Sequence, residues 1–328
     1  MKNVCKVKIG LVLYMLYVYI VGITIHHNLR GLTMSKVNRE MALEIANAAG
    51  SGDGAKVVEL LHGISGDSSH VHTWAYHAKR LADYIQGDYV GKAPFAIWKL
   101  KGNSKLPFAS FSTLPGVTCP GASACWFGRS GAGAGYCYSL KGWRYPATLF
   151  RQVQNTLLMQ HNRDVIAQAT YKLKKDTTCR LYVDGDFDSL RTLTFWMLVL
   201  RERPDLMTYG YSKSWNLFLM FDRMWASKIG WPKNYLLNLS NGSKYEHLRP
   251  KMERLQVTRG NFQALQIDKS LAGKYGHPEY KKALRDAAKA QGIGKVFVCP
   301  GKCGSCTKVG HLCGMESATG VNVVIGVH

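Results

Sequence analysis

RLYVDGDFDSLRTLTFWMLVLRERPDLMTYGYSKSWNLFLMFDRMWASKIGWPKNYLLNLS, residues 180–240, switches repeatedly between two hydrophobic periods. RLYVD, LMTYGY and NYLLNLS are short, β-branched and aromatic, and read as strands. DSLRTLTFWMLVLRER and SWNLFLMFDRMWA carry apolar residues at helical spacing. Strand, helix and strand repeating at this interval predict right-handed βαβ units and therefore a parallel sheet. LQVT (255–258) and KVFVC (295–299) supply later strands, separated by a Lys- and Ala-rich helix around Glu279–Ala290. The expected fold class is α/β, built of parallel βα repeats as a partial barrel or an open sheet. In both forms ligands gather at the carboxyl ends of the strands.

Towards the N-terminus the pattern becomes helical. Residues 36–49 and 54–63 have apolar positions at helical spacing around a Gly/Ser/Asp turn, and HVHTWAYHAKRLADYI (70–85) aligns Val71, Ala75, Ala78 and Ala82 on one side. Residues 34–92 are thus read as a helical cap, and residues 93–328 as an α/β metal-binding domain beginning after Lys92-Ala93-Pro94. Residues 1–33 form an apolar leader. Its run IGLVLYMLYVYIVGITI (9–25) follows Lys2, Lys6 and Lys8 and sits at the short limit for a membrane span. Two readings stand: a membrane anchor, or a mis-assigned start, with the body opening at Met34 and Ser35 as helix cap.

The 328 residues carry 43 Lys+Arg against 21 Asp+Glu, a formal charge of +22. Such a surplus points to a polyanion, and nucleic acid is the expected partner ahead of anionic membrane. Basic residues concentrate at Lys172–Arg180, Arg191–Arg203 and Lys281–Lys295, which suits a broad face.

Seven of the nine cysteines lie in two windows. TCPGASACWFGRSGAGAGYCYS holds Cys119, Cys125 and Cys137 around a Gly/Ala-rich run, and VCPGKCGSCTKVGHLC holds Cys299, Cys303, Cys306 and Cys313. The second window contains a CxxC knuckle flanked by two further thiols, the donor set of tetrahedral zinc or of an iron–sulfur cluster. The expectation is one four-Cys site, in a Cys-rich metal-binding C-terminal segment, plus one three-Cys site with an open position for substrate or S-adenosylmethionine. Both windows contain Cys-Pro-Gly, and they would face each other if the last strand lay beside the first. Cys5 and Cys179 stand alone and are read as non-ligands. Reduced, metal-binding thiols also fit a cytoplasmic body in the host cell.

Asp184 and Asp186, at a predicted strand end in VDGDFDS, are the candidate catalytic carboxylates, whereas Asp188 suits a helix cap. Tyr209, Tyr211, Lys213 and Trp215 combine rings with a cation and are candidates for binding nucleic acid, single-stranded DNA in particular. His70-Val71-His72 has the form of a rolling-circle nickase metal site, with Tyr171 or Tyr209 as its tyrosine, but the triplet opens a helix, where alternate side chains diverge.

GNSKLPFASFSTLPGVTCPGASAC (102–125), YCYS (136–139), YVDGDFDSLRTLTFWMLVLRERPDLMTYGYSKS (182–214) and VCPGKCGSC (298–306) together resemble the phage and plasmid "gene product 88" proteins over about residues 100–315. The resemblance implies a mobile-element origin and brings no settled activity with it. A fainter likeness is to radical S-adenosylmethionine proteins, through Tyr136-Cys137-Tyr138 ahead of the βα repeats. The CxxxCxxC spacing of those proteins is found instead at Cys299, Cys303 and Cys306. The combined expectation is a DNA-associated metalloprotein with an iron–sulfur (4Fe–4S) cluster or zinc, acting in replication or processing of its element. The rival expectations are a cluster-dependent enzyme and a nickase.

Overall fold

The computed structural model describes residues 39–70, 73–100, 106–128, 131–132, 135–271, 273–304, 306 and 311–327. The apolar run 9–25 and Val71-His72 lie outside them. Among the described residues no helix is long and apolar enough to cross a membrane.

Among the described residues the N-terminal part is three helices, α1 (Arg39–Gly50), α2 (Gly54–His62) and α3 (Trp74–Gln86). Asp53 caps α2 by accepting from Lys56 N–H at 2.8 Å, and Thr73 caps α3 by accepting from Tyr76 N–H at 3.1 Å. Helix α3 therefore begins after His70 rather than at it. Short strands β1 (Ala109–Ser110), β2 (Phe127–Gly128) and β3 (Gly131–Ala132) precede two helices, α4 (Pro146–His161) and α5 (Arg163–Tyr171). The cap rests on α4, where Ile45, Val57, Leu61 and Leu81 share one core with Phe150, Val153 and Leu157.

The remainder alternates as expected: β4 (Thr178–Leu181), α6 (Leu190–Glu202), β5 (Met207–Ser212), α7 (Trp215–Phe221), β6 (Tyr235–Ser240), β7 (Thr258–Leu265), α8 (Pro278–Ala290), β8 (Val296–Val298) and β9 (Asn322–Gly326). Seven strands form one sheet in the order β1-β4-β5-β6-β7-β9-β8, with every pairing parallel. The two edges, β1 and β8, are not paired to each other, so the sheet is open. This corrects the expectation that the two Cys-Pro-Gly tripeptides meet through adjacent first and last strands. A second correction concerns LQVT, because Leu255–Val257 precede the strand, which is TRGNFQAL from Thr258.

When parallel strands follow one another in chain order, right-handed crossovers return over the same face. Cys179, Leu181, Tyr235, Leu237 and Leu239 accordingly pack with Trp196, Met197, Leu200, Phe218 and Phe221 in one apolar core. The intervening residues Arg180, Tyr209, Tyr211 and Asn238 point to the opposite face. The C-terminal segment crosses that face. His311 packs 4.8 Å from the Tyr209 ring and 4.5 Å from Phe108, and Asn238 Nδ2 donates to the Cys313 carbonyl at 3.0 Å.

Candidate functional site

The loop that carries Cys119 and Cys125 is laid across the carboxyl ends of β5 and β6. Lys244 N–H donates to the Gly121 carbonyl at 3.0 Å, Ala122 bridges Ser243, and Ser123 Oγ donates to the Gly242 carbonyl at 2.5 Å. Gly121 is required here, since a Cβ would lie 1.9 Å from the Lys213 carbonyl oxygen.

Asp186 and Lys213 stand beneath this loop. The buried Asp186 carboxylate accepts from Ser212 Oγ at 2.7 Å, Phe187 N–H at 2.8 Å and Lys213 N–H at 2.8 Å, tying the end of β4 to that of β5. Burial raises its pKa to about 6 against the pull of those donors. Lys213 Nζ donates to Ser240 Oγ at 3.1 Å and to the Asn241 carbonyl. Burial lowers its pKa, while Cys125, Asp186, Glu246 and Cys119 favour the charged form.

Burial pushes the Cys119 thiol well up, with Asp186, Cys137 and Cys125 adding to the shift, and Cys137 rises through burial and Cys125. The three thiols are thus close enough to feel one another. The tail cysteines form a second neighbourhood. Burial drives Cys299 up to about 12, with Cys313, Cys303 and Cys306 contributing. Cys313 is raised by burial but restrained by a hydrogen bond from Tyr211 and by the charges of Arg259 and Arg180. Backbone amides point at three of the sulfurs: Gly116 N–H at Cys119 (3.4 Å), Gly301 N–H at Cys299 (3.4 Å) and Leu312 N–H at Cys306 (3.2 Å). Among the described residues, no three His, Cys, Asp or Glu side chains stand in an arrangement that could hold a metal ion. Cys179 lies buried in the helix-side core.

Two cations not singled out from the sequence flank the tail cysteines. Arg259 is wholly buried: its Nε donates to Asn238 Oδ1 at 2.7 Å and its Nη1 to the carbonyls of Ala318 (3.0 Å) and Val321 (3.2 Å), while Nη2 has no partner. Arg180 stacks over the Tyr211 ring at 4.4 Å and leaves its buried Nε without a partner. Among the described residues no carboxylate lies within ion-pair distance of Arg180, Arg259 or Lys213. The available sequence signal was a charge inside a strand pattern, Arg180 in RLYVD and Arg259 in TRGNF.

The other expected residues are distributed differently. Asp184 accepts from Ser112 Oγ at 3.1 Å and Gln152 Nε2 at 3.0 Å, and burial raises its pKa. Asp188 accepts from Ser189 and Thr192 at the start of α6, where Ser189 is the cap. Trp215 is fully buried and Tyr209 nearly so, so neither offers a ring face on which a base can stack. That part of the nucleic-acid reading is corrected: the tyrosine packs against Phe108 and His311, and Arg249 covers the tryptophan. Tyr171 donates to Glu202 at the surface, and His70 sits exposed 3.5 Å from Asp67.

No curated protein and no solved structure matches the chain, and nothing found supports the likeness to radical S-adenosylmethionine proteins. The family model described as Gene product 88 matches residues 86–312, a span that takes in the sheet from β1 to β8 and every clustered cysteine except Cys313. That is more than half of the chain, which therefore belongs to the gene product 88 family.

Proposed function

We propose that this phage- or plasmid-type protein is a thiolate metalloprotein. Cys299, Cys303, Cys306 and Cys313 ligate zinc or an iron–sulfur cluster on the sheet face opposite α6 and α7. Cys119, Cys125 and Cys137 form a second thiol site, where Asp186 and Lys213 are placed for proton transfer. The observation that carries the reading is the buried Arg259 and the half-buried Arg180, with its desolvated Nε, beside the tail cysteines, with no carboxylate in ion-pair range among the described residues. Arginine does not shed its proton, and an uncompensated buried cation costs several kcal/mol. Four thiolates around a dication leave a net charge of about −2, which matches two guanidiniums. Amide N–H groups aimed at Cys299 and Cys306 suit thiolates better than thiols. Ligation requires the side chains to turn towards a common centre, which deprotonation by a metal drives.

The test is metal and acid-labile sulfide analysis of the full chain purified without oxygen. Bound iron with sulfide, or bound zinc, in simple ratio to protein is expected. A metal-free protein with all of its thiols titratable and undiminished stability would defeat the reading. The surplus of +22 supports nucleic acid as what the protein works on, in replication or processing of its element.

A further inference from the structure

We infer that Lys99, Arg151 and Arg180 form a binding site for a small-molecule oxyanion, a carboxylate or phosphate group of the substrate, next to Tyr138 and Cys137. The inference deepens the proposed function, because it rests on the face opposite α6 and α7 being the reaction face.

The backbone brings the three cations together. Lys99 pairs with Ser110 in an antiparallel bridge, with N–H···O distances of 2.9 and 3.0 Å in the two directions. Ser110 lies opposite Arg180 in the β1–β4 ladder. Residues directly opposite one another project to the same face, so Lys99 and Arg180 share the face opposite α6 and α7. Arg151 enters from α4, one residue before Gln152, whose amide grips Asp184.

Lys99 and Arg180 both feel the charge of one carboxylate, Asp184, which Ser112 and Gln152 already hold, and Arg151 lies close enough to Lys99 to act on it. The Nε atoms of both Arg151 and Arg180 are buried without a hydrogen-bond partner. Burial lowers the pKa of Lys99, the charge of Arg151 lowers it further, and only Asp184 opposes them. Even with Arg180 balanced by the tail thiolates, Lys99 and Arg151 outweigh Asp184, and desolvated donors are costly unless an anion completes them; guanidinium forks match the two oxygens of a carboxylate or phosphate.

The position favours a small molecule over a nucleic-acid backbone. Arg151 is carried on the cap-bearing helix α4, and Tyr138 flanks the other side by donating to the Val183 carbonyl. Tyr138 feels the charges of Arg180, Asp184 and Cys137, so an anion held here would lie beside the Cys119–Cys125–Cys137 neighbourhood.

Calorimetric titration of inorganic phosphate, and separately of acetate, into the full chain tests the site. Saturable binding by the wild type is expected for at least one of the two anions. It should weaken about tenfold or more in Lys99→Gln and in Arg151→Gln, the loss typical of one charge-assisted hydrogen bond. The control Lys282→Gln, which removes an exposed lysine paired with Asp286, should bind like the wild type. No saturable binding of either anion, or unchanged binding in Lys99→Gln, would overturn the inference, and the lysine variant decides the matter if Arg151→Gln does not fold. Displacement of phosphate by an oligonucleotide would overturn the small-molecule assignment. Metal content measured on the same samples separates the two proposals: phosphate bound by a metal-free protein refutes the metal and leaves the anion site standing.

Discussion

Replacing Asp186 by Asn isolates a buried carboxylate whose titration falls in an accessible range. In the wild type its Oδ1 accepts from Phe187 N–H and Ser212 Oγ, and its Oδ2 from Lys213 N–H. Asparagine keeps the shape and the first two contacts but sets an NH2 against the Lys213 N–H. That unmade bond costs about 1–3 kcal/mol. Removal of the buried charge offsets a similar amount, so the net change at pH 8 is small. The pH dependence is sharper. The folded pKa of Asp186 is about 6, above the ordinary 3.8, so the folded state holds the proton more tightly than the unfolded chain. The group therefore contributes stability at low pH, and that contribution is lost as pH rises through about 6. Between pH 8 and pH 5 the wild type should gain about 1.4 kcal/mol relative to Asp186→Asn, other titrations being common to both. Urea denaturation of both proteins at pH 5, 6, 7 and 8 measures the difference. A stability gap that stays flat with pH, or widens in the opposite direction, would refute the burial argument.

Gly121→Ala should displace the Cys119 loop, since its Cβ would meet the Lys213 carbonyl at 1.9 Å, and lower the melting temperature by several degrees in calorimetry. Cys303→Ser and Cys306→Ser should each lower metal content and stability together, and unchanged stoichiometry in both would remove the tail site. Arg259→Met deletes three hydrogen bonds from a fully buried side chain and should cost about 2–4 kcal/mol in denaturation while reducing metal retention. Oligonucleotide binding should weaken steeply from low to high salt, and should be insensitive to Trp215→Phe because that ring is buried.

The alternation in residues 180–240 was legible because its helices bury one apolar stripe and its strands are short and β-branched. Helix α4 was not expected, and Gln152, Gln154, Asn155 and Thr156 show why. All four are buried and interrupt the apolar period: Gln154, Asn155 and Thr156 satisfy backbone groups of Phe95, Ile97, Ser112 and Leu114, and Gln152 bonds the side chains of Trp143 and Asp184. Strand β7 was misplaced for a related reason. TRGNFQAL looks like a turn because the buried Arg259 and the pairs made by Asn261 and Gln263 replace apolar packing. The cysteine windows announced themselves by spacing, and the structure sets each beside a buried cation that spacing does not reveal. Tyr209 and Trp215 resembled a stacking platform because composition does not distinguish a ring that faces water from one beneath a crossing segment.

Strand β9 pairs with β7 on one side and β8 on the other, although it follows both in the chain. During synthesis β8 emerges with no finished neighbour, and its seat is completed only when residues 322–326 slide in between. Cys299 N–H then donates to the Val324 carbonyl, while the Cys313 carbonyl accepts from Asn238, so the first and last tail cysteines are each stitched to the sheet. A nascent chain that has not yet exposed Val323 and Val324 has an incomplete sheet and an unfastened thiol segment, so both are finished by one event, the arrival of β9.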